Sequence, residues 1–161
     1  MSDHTNFSVI SQLDKVLKKA ALRCQQQGGK FTEKRERVLA QLVRSDTPLS
    51  AYEVADLINK ETEQNMPAMS VYRILDFLVS IQLVHKLSSA NKYLACSHIT
   101  CEHQHEVPQF LICRRCHAVK EIGINRKILD ELKESVSLAG YRLQNSQLEL
   151  DCVCENCLVV Q

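Results

Sequence analysis

The sequence predicts an α+β protein with a winged helix-turn-helix domain in residues 1–97 and a small α/β domain in residues 110–161. Two observations lead to this prediction. The first domain shows helical patterns followed by two short strand patterns, which is the order of elements in a winged helix. The second contains two Cys-x-x-Cys motifs separated by strand and helix patterns. Residues 98–109, rich in His, Cys and Glu, are predicted to form a hinge between them.

A pair of glycines separates the first two predicted helices. Apolar residues recur at helical spacing over about residues 8–27, and Cys24 on that stripe is expected to be a buried thiol. The glycines at 28 and 29 end this helix. Thr32 is predicted to cap a second helix, which Thr47 and Pro48 would break. The buried residues expected in the second helix are Val38, Leu39 and Leu42.

The third and fourth predicted helices form the helix-turn-helix. Residues 50–53 (Ser-Ala-Tyr-Glu) have the pattern of a capping box, which predicts a third helix through about Asn59. Its expected buried residues are Val54, Leu57 and Ile58. Pro67 precedes a fourth helix over residues 69–81. In a winged helix this last helix presents its N-terminal side chains to base edges in the DNA major groove.

Two predicted strands complete the first domain. They cover residues 83–87 and 92–96, and the turn at residues 88–91 joins them. In the second domain, residues 110–113 and 118–122 are predicted strands joined by the first Cys-x-x-Cys knuckle.

The rest of the second domain is predicted to contain one helix and further strand structure. The helix is indicated by Ile128, Leu132 and Val136 and ends near Gly140. Residues 141–153 are then predicted to be a strand-rich return to the second knuckle.

The two Cys-x-x-Cys motifs predict a structural Zn²⁺ site. Four thiolates supply a closed tetrahedral site, and two intervening residues let both sulfurs of a motif reach one ion. The motifs are farther apart than the roughly 15–20 residues typical of a zinc ribbon, so the metal would join two distant parts of the domain. Cys152 could substitute for a ligand of the second motif. The predicted ligands are Cys113, Cys116, Cys154 and Cys157.

The composition fits a protein of a reducing compartment. The chain has 161 residues, is 45% hydrophobic and contains eight cysteines. Its first residues lack the basic and apolar regions of a signal peptide, and no apolar stretch approaches the roughly 18 residues of a membrane span. We therefore expect a cytoplasmic location, no membrane partner, and metal binding instead of disulfides. The net charge is +1, and residues 1–97 carry a mild excess of positive charge, which permits a nucleic-acid-binding face on that half without establishing one.

Six stretches resemble the ferric uptake regulator family of metal-dependent bacterial repressors, and in particular its zinc-sensing branch. They occur in the family's order along nearly the whole chain. Ser70 stands where members usually have Thr, and Glu33 where they commonly have Pro. The stretches are FTEKR at 31–35, LSAYE at 49–53, SVYRILDFL at 70–78, VHK at 84–86, FLICRRC at 110–116 and CENC at 154–157.

The resemblance implies a homodimeric repressor that binds palindromic double-stranded DNA operators through the first domain and dimerises through the second. It implies repression of zinc-uptake genes by the zinc-loaded protein, no enzymatic activity and no small-molecule substrate. The family's base-reading pair maps onto Tyr72 and Arg73, and Arg suits bidentate contact with guanine. Arg35 and Tyr52 are implied phosphate contacts, and Ser70 keeps a hydroxyl for a phosphate or a cap.

The resemblance also implies a regulatory zinc site, which gives two Zn²⁺ per chain. Its implied ligands are His85 on the wing, Cys96 after it, the hinge residue His105, and Glu121 beyond the first knuckle. His103 is the alternative hinge ligand, because it lies two residues from His105 and points the same way in an extended chain. A thiolate in this set favours zinc over iron or manganese.

Three other functions are alternatives. Within the family, the alternative is a sensor of iron, manganese or peroxide. A zinc-stabilised thiol redox protein would need a reactive cysteine of low pKa near a helix N-terminus, not two paired knuckles. A zinc deaminase would need a His-x-Glu sequence and a Pro before one Cys-x-x-Cys motif, and the sequence contains neither.

Overall fold

The computed structural model describes residues 4–63, 65–101 and 107–159, with side chains from residue 12 onward. The predicted hinge ligands His103 and His105 lie outside the described residues. The chain divides into two compact units, Met1–Cys101 and Glu102–Gln161, and the division falls within the predicted hinge segment. No helix within the described ranges is long and apolar enough to cross a membrane.

The first unit is a winged helix-turn-helix, and the predicted α+β fold class is confirmed. The first helix begins before its predicted start, and the third runs past Asn59. The second ends three residues before Thr47, so Thr47 and Pro48 lie in the following loop. The elements are α1 (His4–Gln26), α2 (Glu33–Arg44), α3 (Ala51–Glu61), α4 (Ala68–Ser80), β1 (Val84–Leu87) and β2 (Lys92–Ala95).

Local capping fixes where α2 and α3 begin. The Thr32 side chain accepts a hydrogen bond from the Arg35 backbone N–H at 3.4 Å, as predicted. Ser50 and Glu53 form the predicted capping box, since the backbone N–H of each donates to the side chain of the other. Both starts follow from side chains within one turn of the helix, which is why the sequence alone could locate them.

One apolar core joins the four helices to the wing. Cys24 is fully buried, and burial raises the pKa of its thiol. The predicted burial of Leu57 is wrong, because 36% of the residue is exposed. Ala51, Val54, Ala55 and Ile58 form a stripe at spacings of three and four, and Leu57 falls off that stripe.

The wing is held to the helices by a backbone pairing that the sequence did not predict. Strands β1 and β2 are antiparallel, with His85 opposite Leu94 and Lys86 opposite Tyr93. Leu49, just before α3, forms a further antiparallel bridge with the fully buried Tyr93. Each of these two residues donates its backbone N–H to the other's carbonyl, at 2.9 and 2.7 Å. The wing therefore moves with the start of α3.

The second unit is a three-stranded sheet with one long helix. In the sheet β3 is central, antiparallel to β4 and parallel to β5. The helix α5 lies between β4 and β5 along the chain, as a parallel return to β3 requires. The elements are β3 (Pro108–Cys113), β4 (Val119–Gly123), α5 (Arg126–Leu138), β5 (Glu149–Cys152) and α6 (Glu155–Leu158).

The predicted strand-rich return over residues 141–153 is wrong outside β5. The fully buried Gln109 supplies the physical reason. Its side chain accepts from the Leu148 backbone N–H at 2.6 Å and donates to the Ser146 carbonyl at 2.9 Å. A side-chain amide thus satisfies part of the backbone where a strand ladder was expected.

Candidate metal centres and nucleic-acid interface

Four cysteine thiols come together at one end of the second sheet. Their sulfur atoms all lie within 4.8 Å of one another, and the Cys116 and Cys154 sulfurs are 3.7 Å apart. Four sulfurs at about 2.3 Å from a tetrahedral Zn²⁺ would be about 3.8 Å apart, so this spacing fits zinc. The four residues are Cys113, Cys116, Cys154 and Cys157.

Strand and helix ends place the two knuckles against each other. Cys113 ends β3, and its backbone N–H donates to the Ala118 carbonyl at 2.9 Å, which closes the first knuckle. Cys154 precedes α6, and its backbone N–H donates to the Cys113 sulfur at 3.4 Å. The Arg115 guanidinium donates to the Cys157 carbonyl at 2.5 Å. No sequence signal pointed to this last contact, which ties the first knuckle to the second.

The pKa values of two of these thiols are shifted in opposite directions. Backbone N–H groups of Cys116, Cys154 and Arg115 lower the pKa of Cys113 to about 5, so it is a thiolate at neutral pH. Hydrogen bonds with Cys154 and Cys116 are the largest causes that raise the pKa of Cys157 to about 12. Crowded thiolates repel one another unless a cation lies among them. A bound Zn²⁺ would replace the shared protons and hold all four sulfurs deprotonated.

Cys152 lies next to this group but outside it. In the parallel ladder it is the partner of Cys113, and its carbonyl accepts from the Arg114 backbone N–H at 2.9 Å. Among the described residues, the mutually close sulfurs include Cys154 and Cys157 and do not include Cys152. The geometry therefore favours the second Cys-x-x-Cys motif over Cys152 as the source of ligands.

A second pair of candidate metal ligands, an imidazole and a thiol, lies on the wing and just after it. His85 is half-buried on β1, and Cys96 follows β2 with only 5% of its surface exposed. A ring nitrogen of His85 and the Cys96 sulfur lie within 4.8 Å of each other. The Cys96 backbone N–H donates to the Leu83 carbonyl at 2.9 Å, which continues the hairpin beyond β2. An imidazole and a thiolate at this distance suit one tetrahedral metal ion.

Glu121, the predicted regulatory ligand from the second domain, and the histidine and cysteine that follow the wing are described by their own surroundings. Glu121 is half-buried on β4, where it pairs with Phe110 of β3 in the second unit. His98 is also half-buried, and its Nδ1 lies 3.3 Å from the Ser97 hydroxyl. The Cys101 backbone N–H donates to the His98 carbonyl at 3.1 Å, which makes a tight turn after the wing.

The predicted base-reading residues lie in the first half of α4. Arg73 is exposed, whereas Ser70 and Tyr72 are half-buried. The Tyr72 ring meets the Tyr52 ring of α3 edge to face, with centroids 5.9 Å apart and an interplanar angle of 85°. Tyr52 is 64% exposed, so the pair presents aromatic surface and hydroxyl groups beside α4.

Arg35 is held in place by two contacts within the first unit. Its guanidinium lies 3.5 Å from the ring centroid of Phe77 and donates to the Lys30 carbonyl at 2.5 Å. These contacts restrict the directions in which its remaining N–H groups can donate. Its predicted contact with a phosphate stays a prediction.

A winged helix-turn-helix that carries a histidine and a cysteine as candidate metal ligands at its wing, followed by a four-thiol sheet domain, is the architecture of a metal-dependent transcription regulator. A sequence model of the ferric uptake regulator family matches residues 26–151. The chain belongs to this family, whose members are transcription regulators and not enzymes. The resemblance seen in the sequence is thereby confirmed.

Two curated relatives and one solved structure indicate the branch. The zinc uptake regulation protein of Escherichia coli (strain K12) is 31% identical over 161 residues, covering 100% of this chain and 88% of the relative. The ferric uptake regulation protein of Helicobacter pylori (strain ATCC 700392 / 26695) is 26% identical, covering 92% and 95%. The structure "Zinc Uptake Regulator Complexed With Zinc AND DNA" has a TM-score of 0.79 and 30% identity, covering 92% of this chain and 96% of that one.

Proposed function

We propose that the protein is a zinc-responsive transcriptional repressor that binds operator DNA of zinc-uptake genes when it is loaded with zinc. The observation that carries the proposal is the His85–Cys96 pair, which puts an imidazole and a soft thiolate ligand inside the DNA-binding unit. Thiolate ligation selects zinc over harder metals. The E. coli relative, a zinc uptake regulation protein, supports the same function.

Two Zn²⁺ ions per chain are proposed, with different tasks. One is held by the four cysteines of the second unit and stabilises its fold. The other is regulatory, and His85 and Cys96 supply two of its ligands. Glu121 and a histidine of the hinge, His105 or alternatively His103, are proposed to complete four-coordination.

The regulatory ion would act by restricting motion. Its proposed ligands come from the wing, the hinge and β4, so binding selects conformers in which these elements are fixed. In a two-fold homodimer this sets the separation of two α4 helices to match the half-sites of a palindromic operator. Without the ion more conformers are populated, and operator affinity falls accordingly.

The DNA contacts are proposed to divide into two kinds. Arg73 and Tyr72 on α4 meet base edges in the major groove, where Arg donates to guanine and Tyr packs against a thymine methyl or a phosphate. Ser70, Tyr52 and Arg35 contact phosphates and fix the register of the protein on the duplex. The edge-to-face packing of Tyr52 on Tyr72 supports this arrangement, because it couples a phosphate-side residue to a base-side residue.

The proposed place of action is the cytoplasm, where bacterial DNA lies and where thiols stay reduced. Eight cysteines in the chain need a reducing compartment to remain metal ligands.

The deciding experiment measures DNA binding by purified protein at buffered free Zn²⁺, Fe²⁺ and Mn²⁺. The duplex is selected by the protein from a random library, so no operator sequence is assumed. Binding at far lower free zinc than free iron or manganese is the expected result. Binding that follows free iron or manganese would make the protein an iron or manganese sensor of the same family. Metal-independent binding, or no binding, would overturn the proposal.

A further inference from the structure

The amide side chain of Asn59 holds both backbone polar groups of Met66. Its Oδ1 accepts from the Met66 N–H at 2.6 Å, and its Nδ2 donates to the Met66 carbonyl at 3.2 Å. The same Nδ2 lies 3.4 Å from the Asn65 Oδ1. Asn59 is half-buried near the end of α3, so these bonds cross the turn of the helix-turn-helix.

Met66 lies at the entry to α4, two residues before the helix begins. Its side chain is 5% exposed and belongs to the apolar core of the first unit. The next residue, Pro67, is the N-cap of α4 and makes no side-chain capping bond. Its carbonyl accepts from the backbone N–H groups of Ser70 and Val71 at 2.9 and 3.2 Å. The segment of Met66 and Pro67 therefore sets where α4 begins, and the Asn59 amide holds that segment in place.

We propose that Asn59 is a positioning residue for operator recognition. It aligns α4 so that Tyr72 and Arg73 meet base edges, without touching DNA itself. The inference rests on the proposed DNA-binding function. The proposed phosphate contacts Arg35 and Tyr52 stand on α2 and α3, whose starts have caps of their own, and they meet α4 through the side chains of Phe77 and Tyr72. Tyr72 and Arg73 stand on α4 itself, so Asn59 governs discrimination between sequences more than general affinity for DNA.

Asparagine has the chemistry that this position uses. The two hydrogen bonds from the Asn59 amide to the Met66 backbone, which we call the Asn59 clamp, need an acceptor and a donor on one short planar group. Aspartate keeps the acceptor for the Met66 N–H but sets a second oxygen against the Met66 carbonyl. Leucine has a similar shape and supplies neither partner, which leaves two backbone groups of Met66 without their bonds.

The test compares Asn59→Leu with a matched control, Gln41→Leu, in the zinc-loaded full chain. Gln41 is 6% exposed on α2, and its amide donates to Glu61 Oε2 at 2.7 Å. Both substitutions remove a side-chain amide from the first unit, but only one of them touches the entry to α4. Affinity is measured for the duplex selected by the wild type and for a scrambled duplex at the same salt. Zinc content and thermal unfolding are recorded for each variant.

Asn59→Leu should weaken binding to the selected duplex about tenfold and change binding to the scrambled duplex less than about twofold. Gln41→Leu should leave the ratio of the two affinities unchanged. If Asn59→Leu does not fold, Asn59→Asp provides the test, with a smaller loss of the same ratio. An unchanged ratio in the folded Asn59 variant, or an equal loss in Gln41→Leu, would overturn the inference. A wild type that selects no sequence with zinc would instead overturn the proposed function, and the inference with it.

Discussion

Glu53 and Lys92 join the start of α3 to the wing. The Lys92 Nζ lies 3.1 Å from Glu53 Oε1, while the other carboxylate oxygen accepts from the Ser50 N–H at 2.6 Å. One carboxylate therefore caps α3, the first helix of the helix-turn-helix, and also pairs with Lys92 on β2. Together with the Leu49–Tyr93 bridge, it makes the wing and α3 one structural piece.

Replacing Glu53 should give a pH-dependent loss of stability. Its pKa is lowered, chiefly by the Ser50 backbone N–H and less by Lys92. Because the folded pKa lies below the unfolded one, the stabilisation is present above the unfolded pKa of roughly 4.3 and is lost as pH falls through the folded pKa. Glu53→Ala should lower the free energy of unfolding at pH 7 by about 1 kcal/mol.

The test for Glu53 is urea denaturation of wild type, Glu53→Ala and Glu53→Gln at pH 7 and at about pH 3.5. Gln keeps the capping box and loses the ion pair, and the pair joins half-exposed groups, so this variant should lose less than about 1 kcal/mol. A wild-type advantage over Glu53→Ala that is as large at the lower pH as at pH 7 would refute the assignment.

Cys154→Ser should remove one zinc ion per chain and strongly destabilise the second unit. Metal binding and folding share one free energy in such sites, so losing a thiolate lowers both. Zinc content by atomic spectroscopy and thermal unfolding measure the two effects. Cys152→Ser, two residues earlier at the end of β5, is the matched control and should keep two zinc ions. The reverse pattern would make Cys152 the ligand.

His85→Ala and Cys96→Ser should each abolish zinc-dependent DNA binding while the chain keeps one zinc ion. The four cysteines are a separate group, so their ion should stay. Cys101→Ser serves as the control for removing a thiol near the wing and should behave as wild type. Gel-shift titration with buffered zinc provides the measurement. Variants that still respond to zinc like the wild type would exclude these residues as regulatory ligands.

Replacing Arg73 by Ala and replacing Arg35 by Ala should affect DNA binding in different ways. Loss of a base contact at Arg73 should cost about 1–3 kcal/mol of operator binding and relax specificity at one position. Loss of a phosphate contact at Arg35 should weaken binding to all sequences and reduce the slope of log affinity against log salt by about 1. Selection from a random library and a salt titration separate the two. Identical behaviour of the two variants would contradict their assigned roles.

The parts of the fold that the sequence predicted correctly depend on neighbours along the chain. Thr32 and the Ser50–Glu53 box act within one helical turn, so their patterns sufficed. Leu57 was misplaced because its apolar character says nothing about which face of α3 the core meets. The Leu49–Tyr93 bridge and the contacts of Gln109 join residues distant in sequence, and such pairings leave no local pattern.

At the metal centres too, local spacing could be predicted from the sequence, whereas contacts between distant segments could not. The sequence pointed to the four cysteines because each pair has a fixed short spacing, and the structure brings all four together. The Arg115 contact with Cys157 and the Asn59 clamp on Met66 could not be predicted, since both depend on how separate segments meet. His103 and His105 lie outside the described residues, so the choice between them stays a prediction.

With zinc on its four thiols, the segment from Cys116 to Cys154 becomes a closed ring. That ring contains β4, α5 and β5, and while the ion stays bound it restricts the conformations that these elements can reach when they open locally. Closing a loop of this length lowers the conformational entropy of the unfolded chain by an amount worth roughly 4 kcal/mol, on the scale used for disulfides. A chain that loses this ion therefore opens more often and becomes a better substrate for proteases. Zinc supply would then set how long each molecule survives as well as whether it binds DNA.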